Sequence, residues 1–318
     1  MRITRPRALL AAAAALALVG AACSNDSGSS DGATTAPPAT TVCSTVDTTA
    51  SDALATICAN ESLRVATDQK YKPQSWFDVK TNEWKGFDVD VANEVANRLY
   101  GGPAEINHQD WDTVTAGSWN NRWDINVGSM TDTVPREKLF DFSPSYYYTP
   151  AGIAVNSSNT TITGPADLAG KKVCVGSSTT YEDYLTGKLV LGASAPPFEF
   201  QVDNPEIVTF NTDTDALDQL ALGDGVRCDA AITATPTIAD YVNGAGGIKA
   251  VGDPLYYEPL SIALDKNDPV DNASLVAAVS QIVDDMHADG TLSDLSKQWY
   301  GYDLTVTSAG QGSATPSA

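Results

Sequence analysis

The chain has 318 residues, 40 of them acidic and 19 basic, for a net charge of −21 at pH 7, with 42% hydrophobic residues and five cysteines. A balance this negative repels phosphate backbones and anionic lipid surfaces, so nucleic acid is excluded as a partner and the acidic surface reads as a solubility feature. The length is more than a single average domain requires.

At the start of the chain, Arg2, Arg5 and Arg7 precede an apolar run from Ala8 to Ala22 that ends at Cys23. The run is shorter than the roughly 20 residues needed to cross a bilayer and has the layout of a secretory leader, residues 1–22. Gly20, Ala21 and Ala22 before Cys23 resemble the lipobox of bacterial lipoproteins, with Gly20 where that motif usually carries Leu. Two outcomes follow: lipidation of Cys23, anchoring the protein to a membrane, or ordinary cleavage leaving an idle thiol. Residues 23–42, rich in Ser, Thr, Gly, Ala and Pro, form a flexible linker by composition, and the tail 306–318 has the same character. No later run is long enough to span a membrane, so the expected location is extracytoplasmic and lipid-anchored, and the expected state is a monomer.

The remaining cysteines, Cys43, Cys58, Cys174 and Cys228, are an even set in a secreted chain, which points to two disulfides. Of three connectivities the local one, Cys43 to Cys58 and Cys174 to Cys228, is favoured because each pair lies within one segment of continuous structure. Zinc is the competing use of such residues, but no Cys-x-x-Cys occurs and His108 and His287 are isolated, so neither metal nor cofactor is expected.

The body alternates short strand-like runs with amphipathic helices, the pattern of an α/β fold with largely parallel sheets. Leu63 to Ala66 is a first strand. Phe87 to Leu99 is a helix, because Phe87, Val91, Val95 and Leu99 recur every four residues and Ala92 and Ala96 widen the stripe. Asp88 and Asp90 fall in its first turn, where carboxylates suit the helix dipole. A weak internal echo follows. Asp112 to Trp119 reads as a helix leading into Trp123 to Thr131; Asp215 to Leu222 reads as a helix leading into Arg227 to Thr235, each with an Asp before a short apolar strand and small polar residues after it. Two similar lobes explain the echo, and ligands in open α/β sheets settle beyond the carboxyl ends of strands.

Ser129, Met130, Thr131 and Arg136 therefore fall at a strand end, where a guanidinium can grip a carboxylate through two hydrogen bonds. Tyr71, Trp76 and Trp111 are aromatic faces that could wall a cleft, whereas Trp299 suits a core. In Lys171 to Thr180 a strand, a small-residue turn and a helix start bring Ser178, Thr179 and Thr180 to an anion-binding position, with Ser178 as the expected N-cap.

Four ordered stretches, Gly86 to Ala92, Met130 to Arg136, Asp167 to Val173 and Asp289 to Gly301, resemble the family 3 extracellular solute-binding proteins of amino-acid ABC importers. The resemblance covers Leu63 to Tyr302. It implies a two-lobed, periplasmic-binding-protein-like clamshell (type II) with the ligand cleft between the lobes: lobe 1 from 43–150 and 255–305, lobe 2 from 151–254, and crossings near Tyr146 to Val155 and Val251 to Ile262. By the same resemblance Arg136 would hold an α-carboxylate, aided by the amides of Thr131 and of Thr179 or Thr180. Tyr71 and Trp111 would wall the side chain, Ser129 would receive the α-ammonium through its carbonyl or hydroxyl, and Asp68 would face the side-chain end. In the family an acidic residue ends the second lobe's strand and pairs with the α-ammonium. After Ile232 and Thr233 this chain has Ala234 at that place, leaving Glu258 and Asp68 as acidic substitutes. The implied function is capture of a polar amino acid or related small carboxylate and its delivery to a membrane permease, without catalysis. The alternative is a cyclohexadienyl dehydratase-like lyase on the same fold.

Overall fold

The computed structural model describes residues 40–306. The leader, Cys23, nearly all of the linker and the tail from residue 307 lie outside the described residues.

The chain opens with α1 (Ala53–Asn60) and β1 (Arg64–Thr67), then a small antiparallel sheet of β2 (Lys70–Tyr71), β3 (Ser75–Asp78) and β4 (Glu83–Lys85). Next come α2 (Phe87–Tyr100), β5 (Glu105–His108), α3 (Trp111–Thr115), β6 (Ile125–Thr131) and the long β7 (Phe140–Asn156). The second half continues with β8 (Lys172–Gly176), α4 (Thr180–Leu185), β9 (Glu206–Phe210), α5 (Asp213–Ala221), β10 (Ala230–Ala234), α6 (Thr235–Gly244) and β11 (Ile248–Val251). It closes with β12 (Tyr257–Asp265), α7 (Ala273–Ala288) and α8 (Thr291–Tyr300).

The helix expected at 87–99 forms because its apolar stripe has a core to meet: Phe87, Val91, Val95 and Leu99 are all fully buried. Gly86 begins it at φ +130, where a side chain would run into the Gln74 carbonyl, and Gly101 ends it in the left-handed region at φ +85. All seven residues of β6 are buried, as expected of a strand with both faces covered. Its order is β5-β1-β6-β12-β7, and β7 continues into β10-β8-β9 with β11 beside it.

β7 is one of two connections between the halves, the other being the return from β11 to β12. Phe140 to Pro150 pairs antiparallel with β12, and from Ala151 onward the same strand pairs with β10 and β11. On one side of that exchange, α1, α2, α7 and α8 pack on one sheet face around Leu63, Val95, Ile125, Val279 and Val283, while Trp119, Trp123, Met130 and Phe140 fill the other face. On the far side two further apolar clusters cover lobe 2, one around Ile153, Val175 and Tyr181 and one around Ala154, Leu217 and Ile238. Separate cores on each side of the exchange make two lobes.

The internal echo has a concrete basis. Asp124, just before β6, accepts from the Arg64 backbone N–H at 2.7 Å and returns its own N–H to the Arg64 carbonyl. Asp229, just before β10, repeats both bonds with Lys172, at 2.8 Å each. Each Asp locks the start of a strand to its parallel neighbour. The helices differ from expectation, since α3 stops at Thr115 and α5 begins at Asp213, two residues early, capped by Thr212. Both disulfides have the local pairing, Cys43–Cys58 and Cys174–Cys228. Among the described residues no helix is long and apolar enough to cross a membrane.

Candidate functional site

Both lobes present strand ends and helix starts to one cavity, about 480 Å³ of space between atoms including its part open to solvent. Lobe 1 contributes Asp68 and Tyr71 from beyond β1, Trp111 at the start of α3, and Gly128, Ser129, Thr131 and Arg136 from β6 and the turn after it. Lobe 2 contributes Gly176, Thr179, Thr180 and Tyr181 around the β8–α4 turn, and Asn211, Thr212 and Asp213 between β9 and α5. Glu258 enters from β12.

Arg136 is only 9% exposed and lies across the boundary. One terminal nitrogen donates to the Thr131 carbonyl at 3.1 Å, the other to the Ser178 carbonyl of lobe 2 at 2.9 Å. Its guanidinium centre is 5.3 Å from the Trp111 ring centroid, and the Trp111 indole N–H also donates to Ser178, at 3.1 Å. Burial draws the Arg136 pKa down, opposed by the charges of Asp183 and Glu258. The lobes meet again at Tyr71 and Tyr181, whose hydroxyls are 3.5 Å apart, and at the Thr214 hydroxyl, which donates to the Lys70 carbonyl at 2.5 Å. This is a closed arrangement.

Three acidic side chains face the cavity in unlike surroundings. Glu258, 2% exposed, accepts from four hydroxyls: Thr131 at 2.8 Å, Tyr181 at 2.7 Å, Thr149 at 3.3 Å, and Thr180. Burial raises its pKa and those donors oppose the rise. Asp213 accepts from the Gly176 N–H at 3.0 Å and the Thr233 hydroxyl at 2.9 Å, and burial pushes it up to about 7. Asp68 accepts from the Lys70 N–H at 2.8 Å and is also raised, chiefly by burial.

Of the residues expected at the site, Asp68, Tyr71, Trp111, Ser129, Thr131, Arg136, Thr179, Thr180 and Glu258 line the cavity. Five require correction. Trp76 is packed edge-on against Trp299, with ring centroids 5.5 Å apart, away from the cavity. Met130 is fully buried in the Trp119 and Trp123 cluster, because alternate residues of a strand point to opposite faces and its neighbours Ser129 and Thr131 take the cavity side. Ser178 is not the N-cap of α4; it has φ +58 and offers its carbonyl, while the Thr179 hydroxyl caps the helix by accepting from the Glu182 N–H. Thr233 is behind the wall, bonded to Asp213, and Ala234 is fully buried opposite Ala151.

Ser129 does reach the cavity, but its hydroxyl is committed: it donates to Asp88 at 2.7 Å and lies 2.5 Å from the Tyr147 hydroxyl. Asp88 also accepts from Tyr146 at 2.8 Å and is fully buried, which pushes its pKa up to about 7. It is a structural knot beneath the site rather than only a helix-dipole partner. Its neighbour Asp90 accepts from the Trp299 indole at 2.7 Å.

Gly128, Gly176, Tyr181, Asn211, Thr212 and Asp213 also line the cavity and are not singled out by the sequence. Asp213 carries the recognisable signal, an acidic residue following a lobe 2 strand and opening a helix.

Residues 63–302 match the sequence profile of the bacterial extracellular solute-binding proteins, family 3. The L-cystine-binding protein TcyJ of Escherichia coli (strain K12) is 30% identical over 246 residues, 77% of this chain and 84% of that protein. The L-cystine-binding protein TcyA of Bacillus subtilis (strain 168) is 27% identical over 262 residues, covering 80% and 87%. The crystal structure of an ancestral amino acid-binding protein, a precursor of cyclohexadienyl dehydratase, aligns at 30% identity and TM-score 0.64 over 78% of this chain and 99% of its own.

Proposed function

This chain belongs to the bacterial extracellular solute-binding proteins, family 3, and from that premise we propose that it captures a small polar amino acid, or a close carboxylate relative, and delivers it to the membrane permease of an ABC importer. The observation that carries the reading is Arg136: a buried guanidinium held by two carbonyls at a lobe boundary, against an aromatic face, is placed to take a carboxylate. The amides of Thr131 and of Thr179 or Thr180 assist it, Tyr71 and Trp111 wall the ligand's side chain, and Asp68 faces its far end.

Lobe 1 comprises 43–150 and 255–305 and lobe 2 comprises 151–254, which agrees with the exchange of β7 partners at Ala151. Ligand binding stabilises the closed form as a population shift, with no covalent step. The protein acts as a monomer, exported by its leader and held to the membrane through lipid on Cys23. The relatives named above are binding proteins, which favours binding over catalysis.

Calorimetric titration of the ligand-stripped protein with the proteinogenic amino acids, L-cystine and prephenate tests this. Tight binding of an amino acid, weakened at least about 30-fold in Arg136→Ala, is the expected result. No amino-acid binding together with turnover of prephenate would overturn the reading in favour of the lyase.

A further inference from the structure

Resting on the reading that the ligand is an amino acid, we infer that Asp213 is the carboxylate that receives its ammonium group. The argument is one of unfilled acceptor positions. A carboxylate offers about four acceptor sites, two per oxygen. Glu258 has all of them engaged by the hydroxyls of Thr131, Thr149, Thr180 and Tyr181, two on each oxygen. An ammonium reaching Glu258 would have to displace a hydroxyl that ties one part of the molecule to another, so Glu258 holds the two lobes and β12 together.

Asp213 is different. It is 6% exposed, lines the cavity, and has one donor on each oxygen: the Gly176 N–H on one, the Thr233 hydroxyl on the other. One position on each oxygen remains for a ligand. The placement is built in, because a side chain at Gly176 would come within 2.5 Å of the Asp213 carboxylate, so only glycine lets it lie against the end of β8. Thr233, the penultimate residue of β10, aims it from behind. The strand that ends in the inert Ala234 thus contributes to the cavity indirectly, through a hydroxyl that orients an acid on the neighbouring helix. With its charge buried and facing Asp68 and Glu258, Asp213 has a pKa of about 7, and an arriving ammonium would supply the missing counter-charge.

Asp68 is the remaining acid. It accepts one backbone N–H and so also has open positions, but it is half-buried and has the Lys70 cation nearby, whereas the charges around Asp213 are those of Glu258 and Asp68, which leaves Asp213 the acid in need of a cation.

The test compares each amino acid that binds wild type with its α-hydroxy acid counterpart, which keeps the carboxylate and side chain but lacks the ammonium. In Asp213→Asn the amino acid should lose at least about 30-fold in affinity while the α-hydroxy acid changes less than about threefold. Thr233→Val, which removes only the aiming hydroxyl, should give a smaller loss with the same selectivity. Glu258→Gln should weaken both ligands alike. If Asp213→Asn folds, as judged by its thermal unfolding, and either spares the amino acid or weakens both ligands equally, Asp213 is not the receptor and the amino-acid reading still stands. If Asp213→Asn does not fold, Thr233→Val decides by the same criterion. If wild type binds no amino acid, the inference falls together with the reading it rests on.

Discussion

The two lobes solve the same packing problem with different means. Lobe 1 gathers α1, α2, α7 and α8 against one sheet face in one large cluster and fills the other face with a small one around Trp119, Trp123, Met130 and Phe140; in the large cluster Phe87 is packed among Tyr146, Tyr147 and Tyr300 at ring separations of 5.9, 4.7 and 5.2 Å. Its disulfide, Cys43–Cys58, joins a core cysteine of α1 to a partly buried one packed against that cluster, fastening the residues ahead of α1 to the helix. Lobe 2 divides its apolar residues between two smaller clusters and places Cys174–Cys228 inside one of them. A thinner core leans more on a covalent tie, and a longer loop closed by that tie removes more entropy from the unfolded chain.

Three measurements sharpen or break this contrast. The largest effect is expected from Phe87→Ala, which should cost about 3–5 kcal/mol by emptying the aromatic nest, read as a lower urea midpoint. A loss below about 1 kcal/mol would mean that lobe 1 tolerates a cavity there and that its core is not the stronger of the two. Next, Cys174→Ala with Cys228→Ala opens a 54-residue loop and should cost about 4 kcal/mol, against about 3 kcal/mol for the 15-residue loop of Cys43–Cys58 in the chain-entropy account. Equal losses, or the reverse order, would remove the argument from core size.

The third concerns pH. Asp88 in lobe 1 and Asp213 in lobe 2 are both raised from 3.8 to about 7 by burial. Between those values the folded protein binds protons that the unfolded chain has released, so stability falls as pH rises from about 4 to 7 and the deficit is complete above it. The ligand-free protein should therefore melt at a higher temperature at pH 5 than at pH 8, with the slope reduced in Asp88→Asn and in Asp213→Asn. Added ligand should flatten the Asp213 contribution and leave that of Asp88. A melting temperature that rises steadily to pH 8 would contradict both assignments.

Much of this was legible in the sequence, and the misses have physical causes. The α2 stripe, the apolar run of β6 and the disulfide pairing depend on periodicity and chain distance, which a sequence displays, while the crossings come from the family resemblance. Arg136 was legible as a guanidinium among hydroxyls at a strand end, its role sharpened by the family resemblance, and Glu258 was legible only through that resemblance, as an acid within a crossing. Met130 and Trp76 were misassigned because composition places a residue near a site without telling which face of its strand it takes. Asp213 escapes a sequence reading for a related reason: the pattern starts the helix at Asp215, and an acid in a first helical turn is ordinarily explained by the dipole, as for Asp88. Only the fold shows that both carboxylates are buried, and that one faces a cavity.

β7 runs without interruption through both lobes, changing partners between Pro150 and Ala151 while staying one strand of 17 residues. Beside that point Thr149 faces Glu258 across the β7–β12 pair, so the carboxylate that gathers hydroxyls from both lobes is carried by β12, the strand laid against β7 where it changes partners. Such a ribbon behaves as a leaf spring: it resists stretching and sliding, and yields to twist. Opening the cleft would then be a torsion shared by β7 and the returning link from β11 to β12, with the lobes turning as rigid jaws and no hydrogen-bonded ladder having to part.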